Sequence, residues 1–365
     1  MMFVDRRNTQ AMKYQLKAAP GNCTHEEPLF LWIADMDIRP SEAVTQAVSE
    51  FLNGDTFGYA DVDISESVRA WYQRRDTEPS SEWVVPLHSV VSGASSAVRT
   101  FTSPGDKVMV FAPTYGPLYN AVVSSERRPV VIDWAKGNID EKRLDPEAKV
   151  LLICHPNNPD GIVLGSAQLT MLSEFCEKHD ILIIADEVHA DLVFEGPQLP
   201  AWFDLYKKSI TLNSASKAFN LSALPASAYA IIPDEKIRQR YQKVITRTHL
   251  YSGPVARVAL NAAYRHGLDW FVSTVSSLAE NRELLRSLFA QLLPEIPVTI
   301  GNATYFAWLN LNKYGDEKHV QQRLDEVGVV LSPGSEFQYP GYFRLNFAVS
   351  PDLLHKAVDR LSQAF

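Results

Sequence analysis

An acidic residue and a lysine that could do covalent chemistry stand at the ends of two successive apolar runs. Asp186 follows the run Ile181–Ala185, and Lys217 comes 31 residues later, among small polar residues after the next run. A buried lysine is costly unless its charge is paired or its amine is used. The amine either pairs with the carboxylate or is consumed by an aldehyde as a Schiff base. A plain salt bridge at the surface is the third interpretation.

Four short apolar runs in the middle of the chain predict the strands that position these groups. Three of them are apolar almost without a break, which is typical of strands buried on both faces of a parallel sheet. The stretch 166–179 has apolar residues at helical spacing and lies between two of the runs. The runs are Val108–Ala112, Val150–Cys154, Ile181–Ala185 and Ser209–Leu212. We therefore expect an α/β fold with a mostly parallel sheet flanked by helices.

Polar residues follow each of the four runs. Ligands of such sheets bind beyond the carboxyl ends of the strands, so we expect these residues to meet in one crevice. The segments concerned are Pro113–Tyr115, His155–Gly161, Asp186–His189 and Asn213–Lys217.

The last third of the chain has a different pattern, with two predicted helices followed by alternating segments. The helices are expected over 255–263 and 269–293. We expect a smaller α+β domain here, completed by the N-terminal segment. The predicted division is 1–45 for that segment, 46–254 for a large domain that binds the ligand, and 255–365 for the small domain.

The composition excludes several classes of partner. The chain has 365 residues with 35 Lys plus Arg against 43 Asp plus Glu, a formal charge of −8, and no basic run. We therefore expect no nucleic-acid or membrane partner, and a cytoplasmic location. The cysteines are three in number and form no CxxC pair, which fits a reducing compartment. The cluster Asp186–Asp191 could bind a metal, but no second ligand cluster accompanies it, so we expect no metal site.

Six strings in this sequence together resemble a known family over nearly the whole chain. They are Trp32-Ile-Ala-Asp-Met-Asp37, Phe57-Gly-Tyr59, His155-Pro-Asn-Asn-Pro-Asp-Gly161, Asp186-Glu-Val-His189-Ala-Asp-Leu192, Ser214-Ala-Ser-Lys217-Ala-Phe-Asn220 and Phe343-Arg344-Leu-Asn-Phe-Ala348. The sequence resembles the fold-type I pyridoxal 5'-phosphate (PLP) enzymes, in the cystathionine β-lyase branch of the class I and II aminotransferases. The resemblance implies PLP as the cofactor and a small amino acid as the substrate.

The resemblance assigns the central roles to the residues at the strand ends. Lys217 resembles the lysine that binds the cofactor covalently and later moves the substrate Cα proton. Asp186 resembles the carboxylate that faces the pyridine nitrogen and keeps it protonated. Asn158 resembles the Asn that binds the ring oxygen. His189 stands where the wider class often has a Tyr with that role, and an ordinary core histidine is the alternative.

Further roles follow from the same resemblance. Tyr115 resembles the aromatic residue that stacks on the ring, with plain packing as the alternative. Arg344 resembles the arginine that pairs with the substrate α-carboxylate. Tyr59 resembles the tyrosine that enters the neighbouring subunit's site, which implies a homodimer. Gly93, Ala94 and Ser95 precede a predicted helix, whose free amides suit a phosphate, and the Ser214 hydroxyl would complete that cup.

The sequence also departs from the family pattern. Relatives commonly have Gly at position 223 and a basic residue at 225, where this chain has Ala223 and Pro225. The Arg and Trp that often follow the family's glycine are missing, since residues 162–164 read Ile-Val-Leu. The first departure removes a positive partner of the cofactor phosphate. The second concerns the choice of substrate.

Three activities remain open at this point. The leading hypothesis is a C–S β-lyase that releases a thiol, pyruvate and ammonia from sulfur amino acids. The second is an aminotransferase on the same scaffold, because both reactions use the same residues up to loss of the Cα proton. The third is a protein that keeps the fold without chemistry.

Overall fold

The computed structural model describes residues 3–54, 58–134, 137–196, 199–224 and 227–365. Within these residues the α-helices are α1 Glu42–Leu52, α2 Ser65–Tyr72, α3 Val90–Phe101, α4 Gly116–Val123, α5 Ser166–Lys178, α6 Trp202–Leu205, α7 Ala215–Ala218, α8 Glu235–Arg247, α9 Pro254–His266, α10 Leu268–Leu292, α11 Glu317–Val327 and α12 Pro351–Ala364. The strands are β1 Leu29–Phe30, β2 Val84–Leu87, β3 Lys107–Ala112, β4 Arg128–Asp133, β5 Val150–Cys154, β6 Leu182–Asp186, β7 Ser209–Ser214, β8 Ala228–Ile231, β9 Val298–Thr299, β10 Phe306–Asn310, β11 Val329–Val330, β12 Ser332–Pro333 and β13 Tyr342–Asn346.

A seven-stranded sheet in the order β2-β8-β7-β6-β5-β3-β4 forms the centre of the molecule. Strands β4, β3, β5, β6 and β7 run parallel, whereas β8 is antiparallel to both of its neighbours. The expected α/β fold with a mostly parallel sheet is confirmed. All four predicted strands are present, and their ends differ from the prediction by no more than two residues.

Two apolar cores cover the two faces of this sheet, which explains the unbroken apolar runs. In β5, Leu152 packs with residues of α3, α4 and α8, whereas Leu151 and Ile153 pack on the opposite face with residues of α5. Every residue of β5 and β6 is buried. Successive side chains of a strand point to opposite faces, so a strand covered on both sides needs apolar residues throughout.

The C-terminal third contains a four-stranded antiparallel sheet in the order β12-β13-β10-β9. The N-terminal segment reaches this region, because β1 pairs in parallel with β11, with Leu29 opposite Val329. The long helix α10 packs against α12 beside these strands. This pairing supports our division of the chain into a large domain and a small domain with an N-terminal contribution, which we keep as a proposal.

Candidate active site

The parallel strands β5, β6 and β7 end at one edge of the large sheet and bring the predicted polar residues to a single cavity. Its volume is about 220 Å³. The residues predicted from the sequence that line it are Tyr115, Asn158, Asp186, His189, Ser214 and Lys217. The crevice expected from the strand ends is therefore present.

Lys217 lies in the short helix α7, directly after β7. Its Nζ donates a hydrogen bond of 2.8 Å to the backbone oxygen of Ala34. Burial, together with the charge of Arg344, lowers the pKa of this amine to about 8, although the carboxylates of Asp35 and Asp186 act in the opposite direction. A substantial fraction of the amine is therefore neutral near physiological pH and can attack an aldehyde.

Asp186 is the last residue of β6 and is only 2% exposed. Its Oδ1 accepts a hydrogen bond of 3.0 Å from the amide of Val188. Burial raises the pKa of this carboxyl to about 7, because its surroundings solvate the charged form poorly. Asp186 and Lys217 form no direct ion pair among the described residues, although their charges act on each other. The interpretation of Asp186 and Lys217 as a plain salt bridge at the surface is therefore wrong.

His189 is 1% exposed and its ring lies edge-on to Phe306, with centroids 5.5 Å apart. Burial and the charges of Lys217 and Arg344 lower the pKa of its imidazole, which is therefore neutral. Its Nδ1 is buried and has no hydrogen-bond partner. An imidazole nitrogen left unpaired on the wall of a cavity indicates a ligand that completes it.

Arg344 lies on β13 and connects the small sheet to the cavity. Its Nη1 donates to Asn158 Oδ1 at 2.7 Å, and its Nη2 donates to the backbone oxygen of Trp32 at 2.7 Å. The guanidinium packs over the rings of Phe306 and Phe337, 4.3 and 4.8 Å from their centroids. Burial lowers its pKa to about 10, so the group stays positively charged. Its Nε remains unpaired, which leaves a donor for a bound anion.

The position of the helix that follows β2 corrects the expectation for the phosphate cup. Helix α3 begins at Val90 and not after Ser95, so Gly93, Ala94 and Ser95 lie within its first two turns. The Gly93 amide already bonds to the Ser89 backbone oxygen. A Cβ on Gly93 would approach Leu87 Cδ1 to 2.8 Å, so this glycine serves close packing of the helix on the sheet.

The amides at the N-terminus of α3 are instead those of Val90 and Val91, which line the cavity together with Ser89. Ser89 caps the helix, since its hydroxyl accepts from the amide of Ser92 at 3.0 Å. No described residue accepts a hydrogen bond from the Val90 or Val91 amide. These residues were missed in the sequence, because Ser92 stands where the usual capping-box pattern has Glu or Gln.

Ser214 lies at the same end of the cavity as α3. The strand register places Leu87 opposite Ala228, and Ala228 opposite Ser214. The Ser214 hydroxyl lies 3.2 Å from that of Ser227. Hydroxyls of Ser216 and Ser222 also line the cavity and were not predicted.

Tyr115 is half-buried at the start of α4, and burial raises the pKa of its phenol. Tyr59, by contrast, is fully exposed and does not line the cavity of its own chain. Phe57, from the same predicted string, lies outside the described residues, as does Pro225.

The backbone of residues 32–34 contacts the site, with Ala34 lining the cavity, and was not recognised as part of the site from the sequence. The Ala34 oxygen accepts hydrogen bonds from Lys217 Nζ and, at 3.2 Å, from the Tyr305 hydroxyl. The Trp32 oxygen accepts from Arg344. Backbone carbonyls contact the two central cations here, and carbonyls carry no side-chain pattern that could have revealed them.

Other types of site were sought in the described part of the chain. No group of three or more His, Cys, Asp or Glu side chains there could hold a metal ion. None of its helices is long and apolar enough to cross a membrane. Cys23, Cys154 and Cys176 are all free thiols.

Comparisons with known proteins agree with this geometry. A family model described as aminotransferase class I and II matches residues 31–361. The cystathionine beta-lyase PatB of Bacillus subtilis (strain 168) is 31% identical over 385 residues, which covers 99% of this chain and 98% of PatB. Protein MalY of Escherichia coli (strain K12) is 29% identical and covers 91% of this chain and 90% of its own. The PLP-bound C-S lyase from Staphylococcus hominis superposes with a TM-score of 0.89 at 27% identity, covering 100% of this chain and 97% of that one.

Proposed function

The chain belongs to the class I and II aminotransferase family, and on this basis we propose that it is a PLP-dependent C–S β-lyase. The observation that carries the proposal is the similarity, over almost the whole of both chains, to a protein named as a cystathionine beta-lyase. The substrate class is amino acids with a sulfur substituent on Cβ. With one water, such a substrate gives a thiol, pyruvate and ammonia.

The residues of the cavity fit PLP. The aldehyde of PLP reacts with a neutral amine, and Lys217 supplies one because its pKa is lowered to about 8. A pyridinium nitrogen requires a carboxylate, and Asp186 is a buried carboxyl that forms no ion pair with another described residue. The unpaired His189 Nδ1 and the free amides of Val90 and Val91 suit a ring oxygen and a phosphate. When bound, PLP supplies an electron-accepting ring that stabilises negative charge at the substrate Cα.

The protein residues then position the substrate and move its proton. Arg344 binds the α-carboxylate through its guanidinium, which is charged and has an unpaired Nε. Asn158 holds Arg344 in place through its Oδ1, and its side chain would bind the cofactor ring oxygen. Lys217 Nζ takes the Cα proton, because its lowered pKa allows it to act as a base near neutral pH. Tyr115 lines the cavity and would stack on the cofactor ring.

We also propose that the enzyme is a cytoplasmic homodimer. Tyr59 is fully exposed, so its aromatic ring is not packed against the described residues of its own chain. A partner subunit that receives Tyr59 at its own cavity would explain this exposure.

Family membership alone also allows an aminotransferase. The two reactions share their steps until the Cα proton has been removed and differ only afterwards. The test is a parallel assay of the purified protein with L-cystathionine alone and with an amino acid plus 2-oxoglutarate. We expect pyruvate and ammonia from cystathionine without an oxo acid, and neither product from the matched Lys217→Ala variant. Glutamate formation from 2-oxoglutarate, with no pyruvate from cystathionine, would establish the aminotransferase instead.

A further inference from the structure

Among the described residues that line the cavity, Lys217 on α7 is the one lysine or arginine. The register of β2, β8 and β7 places the N-terminus of α3, Ser227 and Ser214 side by side at one end of the cavity. Asp186 lies on β6, three strand spacings or about 14 Å from β2, at the end that suits the pyridine ring. The phosphate of PLP would therefore bind between α3 and the serines. A phosphate monoester carries a charge of about −1.5 to −2 at pH 7.

Apart from His88, the described residues at this end of the cavity offer neutral donors to this charge. They are two helix amides and several serine hydroxyls. The segment 221–224 reads Leu-Ser-Ala-Leu, and Pro225 replaces the basic residue of relatives. Lys217 also lines the cavity, but its amine is used by the cofactor aldehyde.

His88 precedes the cap residue Ser89 and lines the cavity at this end. Its amide donates to the Leu250 oxygen at 2.7 Å, which fixes its backbone beside the start of α3. Among the described residues that line the cavity, His88 is the titratable group next to the α3 amides. We propose that the His88 imidazolium pairs with the cofactor phosphate and replaces the basic residue that relatives have at position 225. This inference rests on the proposed PLP-dependent function.

Titratable groups close in sequence to Leu250, whose oxygen accepts from the His88 amide, already have partners of their own. Loop 249–251 contributes His249 and Tyr251, whose Nδ1 and hydroxyl are hydrogen-bonded to each other at 3.1 Å. Arg257 on α9 is bound to the Ser252 hydroxyl at 2.9 Å and to backbone and carboxylate oxygens of residues 61–62.

The test measures binding of two ligands to the cofactor-free protein between pH 6 and 8.5. The ligands are PLP and pyridoxal, which differ only in the phosphate. We expect His88→Ala and His88→Gln to weaken PLP binding about tenfold at pH 6.5 and to leave pyridoxal binding unchanged, because one charge-assisted bond is lost. His88→Lys should retain PLP affinity.

The control is His355→Ala on α12, since His355 is exposed like His88 but does not line the cavity, and this variant should behave as wild type with both ligands. The ³¹P chemical shift of bound PLP gives an independent readout, which should change in His88→Ala and His88→Gln and stay as in wild type in His355→Ala. If the wild-type protein binds PLP and His88→Ala and His88→Gln bind it equally well, the role of His88 is overturned and the proposed function stands. If the wild-type protein binds neither ligand, the proposed function fails and the role of His88 fails with it.

Discussion

Arg344 Nη1 donates a hydrogen bond of 2.7 Å to Asn158 Oδ1, and this contact joins the small sheet to the loop that follows β5. The two residues are 186 positions apart in the sequence. Both are buried, so the bond is strong and geometrically defined. A substrate carboxylate bound to Arg344 is thereby placed relative to the residue that we expect to bind the cofactor ring.

Replacing Arg344 by alanine should raise KM for amino-acid substrates and leave cofactor retention nearly unchanged. The lost contact is a charge-assisted pair with the α-carboxylate, which contributes about 1.5–3 kcal/mol and corresponds to a ten- to hundredfold change in kcat/KM. Steady-state kinetics and equilibrium dialysis of PLP measure the two effects separately. Arg344→Lys should not restore activity, because an ammonium cannot reproduce the planar fork.

Loss of PLP as the main effect of Arg344→Ala would place this arginine in the phosphate site instead. Glu336→Gln is a useful control, because Glu336 contributes charge near Arg344 but is not expected to contact the substrate. It should change KM by much less.

The purified enzyme should be yellow, and borohydride should fix the cofactor on Lys217. This expectation follows from an amine with a pKa near 8 on the wall of the cavity. Peptide mass spectrometry should find the reduced adduct on this residue, and Lys217→Ala should be inactive and lack the adduct. An adduct on another lysine would contradict the assignment.

The cofactor-free protein should become more stable, relative to Lys217→Met, as the pH rises from 8 to 10.5. The folded-state pKa of Lys217 is about 8, below its ordinary value of 10.5. Between these values the unfolded chain binds more protons than the folded one, so a rise in pH favours folding. A shift of this size corresponds to at most about 3 kcal/mol. Urea unfolding at several pH values measures it, and two parallel stability curves would contradict the prediction.

The strands and the residues at their ends could be predicted because burial on both faces of the sheet demands apolar runs such as Val150–Cys154. The antiparallel direction of β8 could not be predicted, because the sequence of residues 228–231 does not indicate in which direction the strand runs. The start of α3 was placed too late because its cap, Ser89 with Ser92, lacks the Glu or Gln that makes a capping box conspicuous.

The ion cluster of the N-terminal segment was also missed. Lys13 is completely buried, with its Nζ 3.0 Å from Asp37 and 3.8 Å from Asp35. Arg6 and Tyr14 bind the same carboxylates. A lysine in a polar N-terminal stretch has no pattern that indicates burial, because the partners are distant in the sequence.

Lys13→Met should lower the free energy of unfolding by about 3 kcal/mol, since it removes one partner of a buried ion pair and leaves the Asp37 charge less compensated. Adding Asp37→Asn should recover part of the loss. Lys17→Met is the matched control, because Lys17 is exposed on the same segment, and its effect should stay within about 0.5 kcal/mol. Urea unfolding of the four proteins provides the comparison. Equal losses from Lys13→Met and Lys17→Met would contradict a role for the cluster.

The action of Tyr59 across a subunit interface can be tested by mixing two variants of low activity. If each site uses Lys217 from one subunit and Tyr59 from the other, a dimer of one Lys217→Ala chain and one Tyr59→Ala chain contains one site with both native residues. Refolding the two variants together should then give activity well above either parent, approaching half of the wild-type value per mixed dimer. If Tyr59 acted within its own chain, the mixed dimer would contain no such site. Absence of any gain on mixing, or full activity of a monomer in sedimentation, would contradict the shared site.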